Sequence, residues 1–172
     1  MAWIRIVSGA NELMSFLIVD MAPAPCATSD SLARAAQLLW DHDFGALPVL
    51  DGDGRLVGMI TDRDICMATY LRGQPPADIS VEQAMARQVY SCAPGDPIGV
   101  AEKVMSQFQV RRVPVADDGG RVVGVLSLTD LVREAEQDSG RRLPDVTDAE
   151  VARTLAAICQ PRRDEQSTTT VP

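Results

Sequence analysis

Two short elements carry the side chains best suited to holding a ligand, Thr61-x-x-Asp64 and Ser127-x-x-Asp130. A carboxylate offers two acceptor oxygens and can take both hydroxyls of a diol. A hydroxyl at a helix start stands beside free backbone N–H groups, a setting that favours an anion such as phosphate. The same spacing also has the form of a helix capping box, with Asp in the place of Glu. Arg63 lies inside the first element, and Arg111-Arg112 form a basic pair upstream of the second. A guanidinium fork matches phosphate oxygens, and the same pair also reads as solvated charge at a strand start.

The residues for catalysis are missing. The sequence holds no nucleophile–base pair, Walker loop or dinucleotide fingerprint, and His42 is its one histidine. Cys26, Cys66, Cys92 and Cys159 form no CxxC pair, so no metal site is expected. Scattered thiols of this kind act as small apolar fillers in a reducing cytosol, and Cys26 and Cys92 read that way rather than as a redox pair. Asp51-Gly52-Asp53-Gly54 begins like a calcium loop but lacks the later Glu, and it reads as a turn. The expectation is a binding protein, not an enzyme, with no required cofactor.

Composition narrows the partners. The 172 residues carry a net charge of −8 with 46% hydrophobic content, which supports a packed core. An acidic chain with dispersed basic residues is a poor nucleic-acid binder. No apolar run is long enough for a membrane span, and Phe16 to Val19 is too short for a signal-peptide core, so a soluble cytoplasmic protein is expected.

What must position these residues is an internal repeat. Shifting the sequence by 66 residues lays Leu47–Ile65 over Val113–Leu131 without a gap, and 11 of the 39 positions from 27 to 65 are identical. Cys26 meets Cys92, Pro48 meets Pro114, Gly58 meets Gly124 and Asp64 meets Asp130. Each copy predicts a short strand at Cys26 or Cys92, an N-capping Asp30 or Asp96, and an amphipathic helix. Two apolar runs joined by an Asp-Gly turn follow, then a second helix from Thr61 or Ser127. The fold class is α/β (α+β), two β-α-β-β-α units packed as a pseudo-two-fold pair. One unit of about sixty residues buries too little apolar surface to stand alone.

The expected organisation is an extension at 1–23, copy one at 24–71, a linker at 72–86, copy two at 87–136, and a C-terminal helix with a disordered tail over 137–172. Residues 79–86 read as a short helical turn. His42 reads as a surface or capping residue, and Met59, Met67, Met85 and Met105 as core. Val19-Asp20-Met21 stands out of register with the lead-in to copy two, so residues 1–20 are atypical, and Met14 and Met21 are alternative starts.

The twice-found pattern Pro-Val-x-Asp-x-x-Gly-Arg-(Leu/Val)-Val-Gly-x-(Ile/Leu)-(Thr/Ser)-x-x-Asp resembles the CBS domain, whose tandem pair is called a Bateman module. The resemblance covers about residues 24–136. It implies a cleft between the copies for AMP, ADP or ATP, with NAD or S-adenosylmethionine as further ligands. It implies that Asp64 and Asp130 take ribose hydroxyls and that Thr61 and Ser127 contact phosphate. Ala27, Ala46 and Pro48 in copy one, and Ala93 and Pro114 in copy two, fall at cleft positions of the family. Arg111 and Arg112 occupy the phosphate-clamp positions, whereas copy one has Gly45 and Ala46 there and only Arg63 nearby. Copy two, around Ser127 and Asp130, is therefore the expected phosphate site. The resemblance also implies a homodimer assembled through helices. The alternative is an interaction module with empty clefts that docks a protein partner through residues 148–159.

Overall fold

Each Asp-Gly segment makes a turn between two antiparallel strands. The computed structural model describes residues 4–8, 15–19, 25–138 and 146–161, the first two stretches as backbone alone. In chain order the elements are β1 (Ile4–Ser8), β2 (Ser15–Val19), β3 (Cys26–Ala27), α1 (Leu32–Asp41), β4 (Ala46–Leu50), β5 (Leu56–Thr61) and α2 (Asp62–Arg72). They continue with α3 (Ile98–Phe108), β6 (Arg112–Ala116), β7 (Val122–Ser127), α4 (Leu128–Asp138) and α5 (Asp148–Ile158). The Asp51 carboxylate accepts the N–H groups of Asp53 and Arg55, both at 2.9 Å, and Gly54 takes φ +78°. Asp117 and Gly120 repeat this geometry in copy two.

In copy one, β3 runs parallel to β4, and β4 pairs antiparallel with β5. Copy two keeps the β6–β7 pair, but its expected first strand shrinks to the single bridge Cys92–Val115. The reason is Pro94. Its counterpart Thr28 donates an N–H to Leu50 O at 3.2 Å, a bond that a proline cannot make. Asp30 and Asp96 are not the helix caps that the sequence suggested. Ser31 caps α1 by accepting the Arg34 N–H at 3.2 Å, and Pro97 precedes α3. The two aspartates brace the turn before the cap, accepting the N–H of Ala27 and of Ala93 at 2.8 Å.

The stretch between the copies is only half a linker. Residues 72–78 are largely exposed. From Ile79 the chain is built into copy one. Leu32 donates to Ile79 O at 2.8 Å, Val81 to Asp30 O at 2.8 Å, and Met59 and Ala86 exchange bonds of 3.0 and 2.8 Å. Val81–Gln83 forms a single 3-10 turn. Ile79 and Val81 are fully buried and Met85 nearly so, in one core with Leu32, Leu47, Val49 and Ile60. The backbone of β2 lies 66 residues upstream of 81–85 and runs beside α3 and β7 of copy two. The segment leading into each copy thus packs on the other.

Copy two has its own core of Ile98, Met105, Val113, Leu126 and Leu131, completed by Val151 and Ile158 from α5. Of the apolar face of α5 that the sequence offered to a protein partner, Val151 and Ile158 are buried within the chain, against α3 and α4, and Leu155 is exposed. The two copies meet at their turns, where Leu56 donates to Gly120 O at 3.0 Å and Arg55 faces Arg121.

Cys26 and Cys92 are buried in separate cores, so they fill space and do not pair. Burial, with Asp30 or Asp96 nearby, pushes their thiols up to about 12 and about 11. Met85 and Met105 are core residues as expected, but Met67 is exposed on the outer side of α2 and Met59 is half-buried at a cleft. His42 is an exposed C-cap of α1. Asp20-Met21, residues 139–145 and those from 162 lie outside the described residues. Among the described residues, no helix is long and apolar enough to cross a membrane.

The placement of Ile79 has a measurable consequence. Ile79→Ala should cost about 2–5 kcal/mol in urea unfolding, as expected for a core cavity. Pro75→Ala, in the exposed half of the same stretch, should stay within ~0.5 kcal/mol.

Candidate ligand cleft

The first ligand element folds as a capping box. Thr61 ends β5 in an extended conformation and caps α2. Its hydroxyl accepts the Asp64 N–H at 3.2 Å, and Asp64 Oδ2 accepts the Thr61 N–H at 2.9 Å and the Thr61 hydroxyl at 2.7 Å. The cap therefore occupies one carboxylate oxygen. Among the described residues nothing bonds Asp64 Oδ1, which is left for a donor from outside. The capping reading is met through Oδ2, and Oδ1 remains an available acceptor.

The strand starts meet between the copies. Ala46 pairs with Thr61 at the start of β4, and Arg112 pairs with Ser127 at the start of β6. Gly45 allows the close approach, since a Cβ there would fall 2.6 Å from Arg112 Nη2. The Arg112 guanidinium thus packs on the backbone of copy one. The result is a cleft of about 770 Å³. Thr61, Arg63 and Asp64 line one side, and Arg111 and Arg112 the other. Among the described residues none of these three arginines forms a salt bridge. Tyr90 adds an aromatic wall, stacked on Phe108 with ring centres 3.5 Å apart.

Arg111 and Arg112 line the cleft of Thr61 and Asp64, together with Ala46 and Pro114. Ser127, Asp130, Ala27, Pro48 and Ala93 are not among the residues lining it. Ser127 and Asp130 repeat the capping box, with bonds of 2.8 and 2.6 Å, but Asp130 Oδ1 also has Arg133 Nη1 at 3.8 Å. Arg112, the first residue of β6, packs across the pseudo-two-fold on Gly45 of the other copy.

Sequence reasoning missed Gln88, Tyr90, Gln109 and the α5 residues Ile158 and Gln160 as cleft-lining groups. Tyr90 and Phe108 were open to notice as two of only seven aromatic residues. Ile158 and Gln160 carry no signal, because nothing local fixes where a terminal helix packs.

The CBS domain family matches residues 18–70 and 79–137, one segment for each copy. The chain belongs to the CBS domain family. It is 34% identical over 132 residues to Hypoxic response protein 1 of Mycobacterium tuberculosis, covering 77% of this chain and 84% of that protein. It is 29% identical over 143 residues to CBS domain-containing protein YhcV of Bacillus subtilis, covering 82% and 96%. Among solved structures, the CBS domain pair of protein MJ0100, in complex with 5′-methylthioadenosine and S-adenosyl-L-methionine, superposes with a TM-score of 0.61. That pair is 29% identical and covers 76% of this chain and 94% of its own. The CBS pair is thus the architecture of most of the described residues.

The dual role of Thr61 can be separated experimentally. Thr61→Ala should cost about 0.5–2 kcal/mol of stability without ligand, through loss of the cap. Thr61→Ser, which keeps the hydroxyl, should lie close to the parent in the same unfolding measurement.

Proposed function

We propose that this protein is a regulatory CBS pair that binds an adenine nucleotide, AMP, ADP or ATP, in the cleft between its copies. The observation that carries the reading is one cleft lined by Asp64 and by Arg63, Arg111 and Arg112, none of which forms a salt bridge among the described residues. The carboxylate oxygen suits a ribose diol. The N-terminus of α2 and the guanidinium groups suit phosphate. The neighbour that holds methylthioadenosine and S-adenosylmethionine supports an adenosine-bearing ligand, and the arginines favour an anionic one over a sulfonium cation. The names of the two relatives denote no enzyme, in keeping with a sensor whose output is conformational. The interaction-module alternative is left with Leu155 as the exposed apolar group of α5, because Val151 and Ile158 are covered.

Titration calorimetry with AMP, ADP, ATP, NAD and S-adenosylmethionine tests this directly. The phosphate-bearing adenosines should bind, and Arg112→Ala should weaken them about tenfold or more while leaving S-adenosylmethionine unaffected. Absence of heat at millimolar nucleotide, with Asp64→Asn and Asp130→Ala behaving like the parent, would sink the reading.

A homodimer is part of this proposal. Trp40 is 86%, Tyr70 77% and Leu71 73% exposed, large apolar groups on α1 and α2 that a second copy would cover. Light scattering should give twice the chain mass, and Tyr70→Glu with Leu71→Glu should return it to that of one chain.

A further inference from the structure

Helix α5 reaches the cleft from the far end of copy two. Its buried side, Val151, Thr154 and Ile158, packs on α3 and α4. Its C-terminal end places Ile158 and Gln160 among the cleft-lining residues. Gln109 ties that end down: its Nε2 donates to Gln160 O at 2.9 Å and to Ala157 O at 3.2 Å, the latter also accepting the Gln160 N–H at 3.4 Å. Gln109 itself caps α3 in the left-handed conformation, φ 52°, and lies two residues before Arg111. One side chain therefore joins the seat of α5 to the strand start that carries the arginine clamp.

The seat is not an optimised one. Glu102 Oε1 on α3 is buried with no hydrogen-bond partner. Burial, and Glu150 on α5 next, hold its carboxyl above the usual range. A buried unpartnered acceptor weakens the interface that contains it. Such an interface can be biased by modest binding energy at its edge.

We propose that α5 is the output latch of the cleft: a bound nucleotide holds α5 against α3 and α4, and an empty cleft lets it loosen. The proposal rests on the nucleotide reading of the cleft and adds to it the element that changes. Gln109 is a positioning residue here, acting on Arg111 and Arg112 through the short segment between them. By linkage, whatever strengthens the seating of α5 strengthens nucleotide binding by the same factor.

Hydrogen exchange on the full chain, with and without saturating ADP, reads the latch directly. Amides from 151 to 159 should exchange at least about fivefold more slowly with ADP bound, the lower end of typical coupling. Val151→Ala loosens α5 from a position outside the cleft, and it should raise the Kd for ADP by a similar factor. Gln109→Asn keeps a residue tolerant of the left-handed conformation but shortens its reach, and should do the same. Ala152→Ser, on the exposed side of α5, should change neither quantity. ADP that binds without slowing exchange in α5, or an unchanged Kd in both variants, overturns the latch and leaves the cleft reading standing. Absence of any ADP binding to the parent overturns both.

Discussion

Leu32 donates its N–H to the carbonyl of Ile79, and around that bond the chain closes copy one with residues that precede copy two. Without Ile79, Val81 and Met85, the sheet and α1 of copy one would face water over a core of Leu32, Val49 and Ile60. A unit this small has no spare apolar surface with which to heal such a gap. The copies therefore cannot be rigid beads on a string. They are held in one mutual orientation by each other's leading segments and by the bond from Leu56 to Gly120. That fixed orientation sets the distance between Thr61 and Arg112 and so creates the cleft.

The electrostatics of the cleft run against those of the molecule. The chain as a whole carries a net charge of −8, yet the cleft is lined by Arg63, Arg111 and Arg112 against Asp62 and Asp64, and among the described residues none of the three arginines forms a salt bridge. A local excess of cations draws an anion more strongly than distant net charge repels it once the anion is within a Debye length. Arg112 also packs against the backbone at Gly45. A pre-positioned guanidinium loses less freedom when it binds. Both copies contribute, so a ligand here contacts two bodies at once and is sensitive to their relative position.

Much of this was legible in the sequence, for reasons that differ by element. The repeat exposed the two hairpins, because Asp51 and Gly54 recur as Asp117 and Gly120 and the turn needs both residue types. Thr61 and Asp64 were found because a capping box and a diol acceptor require the same spacing. Two local readings failed where a neighbour decided the outcome. Asp30 looked like a cap, but its carboxylate is taken by Ala27 and Ser31 does the capping. The strand at Cys92 was cut short by Pro94. The larger errors were tertiary. No periodicity shows that Ile79 belongs to the copy behind it, that Arg112 packs on the opposite copy, or that α5 ends at the cleft. These facts depend on the pseudo-two-fold, which places residues distant in sequence on one side of a shared seam.

The exchange of leading segments carries a historical implication. A single ancestral unit with its leading segment folded onto a twin is a domain-swapped dimer, and joining two such chains end to end gives the present connectivity. Fusion would then have freed the two halves to diverge. Pro94 shortening one sheet, and the arginines at 111 and 112 opposite Gly45 and Ala46, are differences that a dimer of identical chains cannot hold. The asymmetry of the cleft is in this sense a product of covalent linkage: two subunits became one chain, and one chain can have a front and a back.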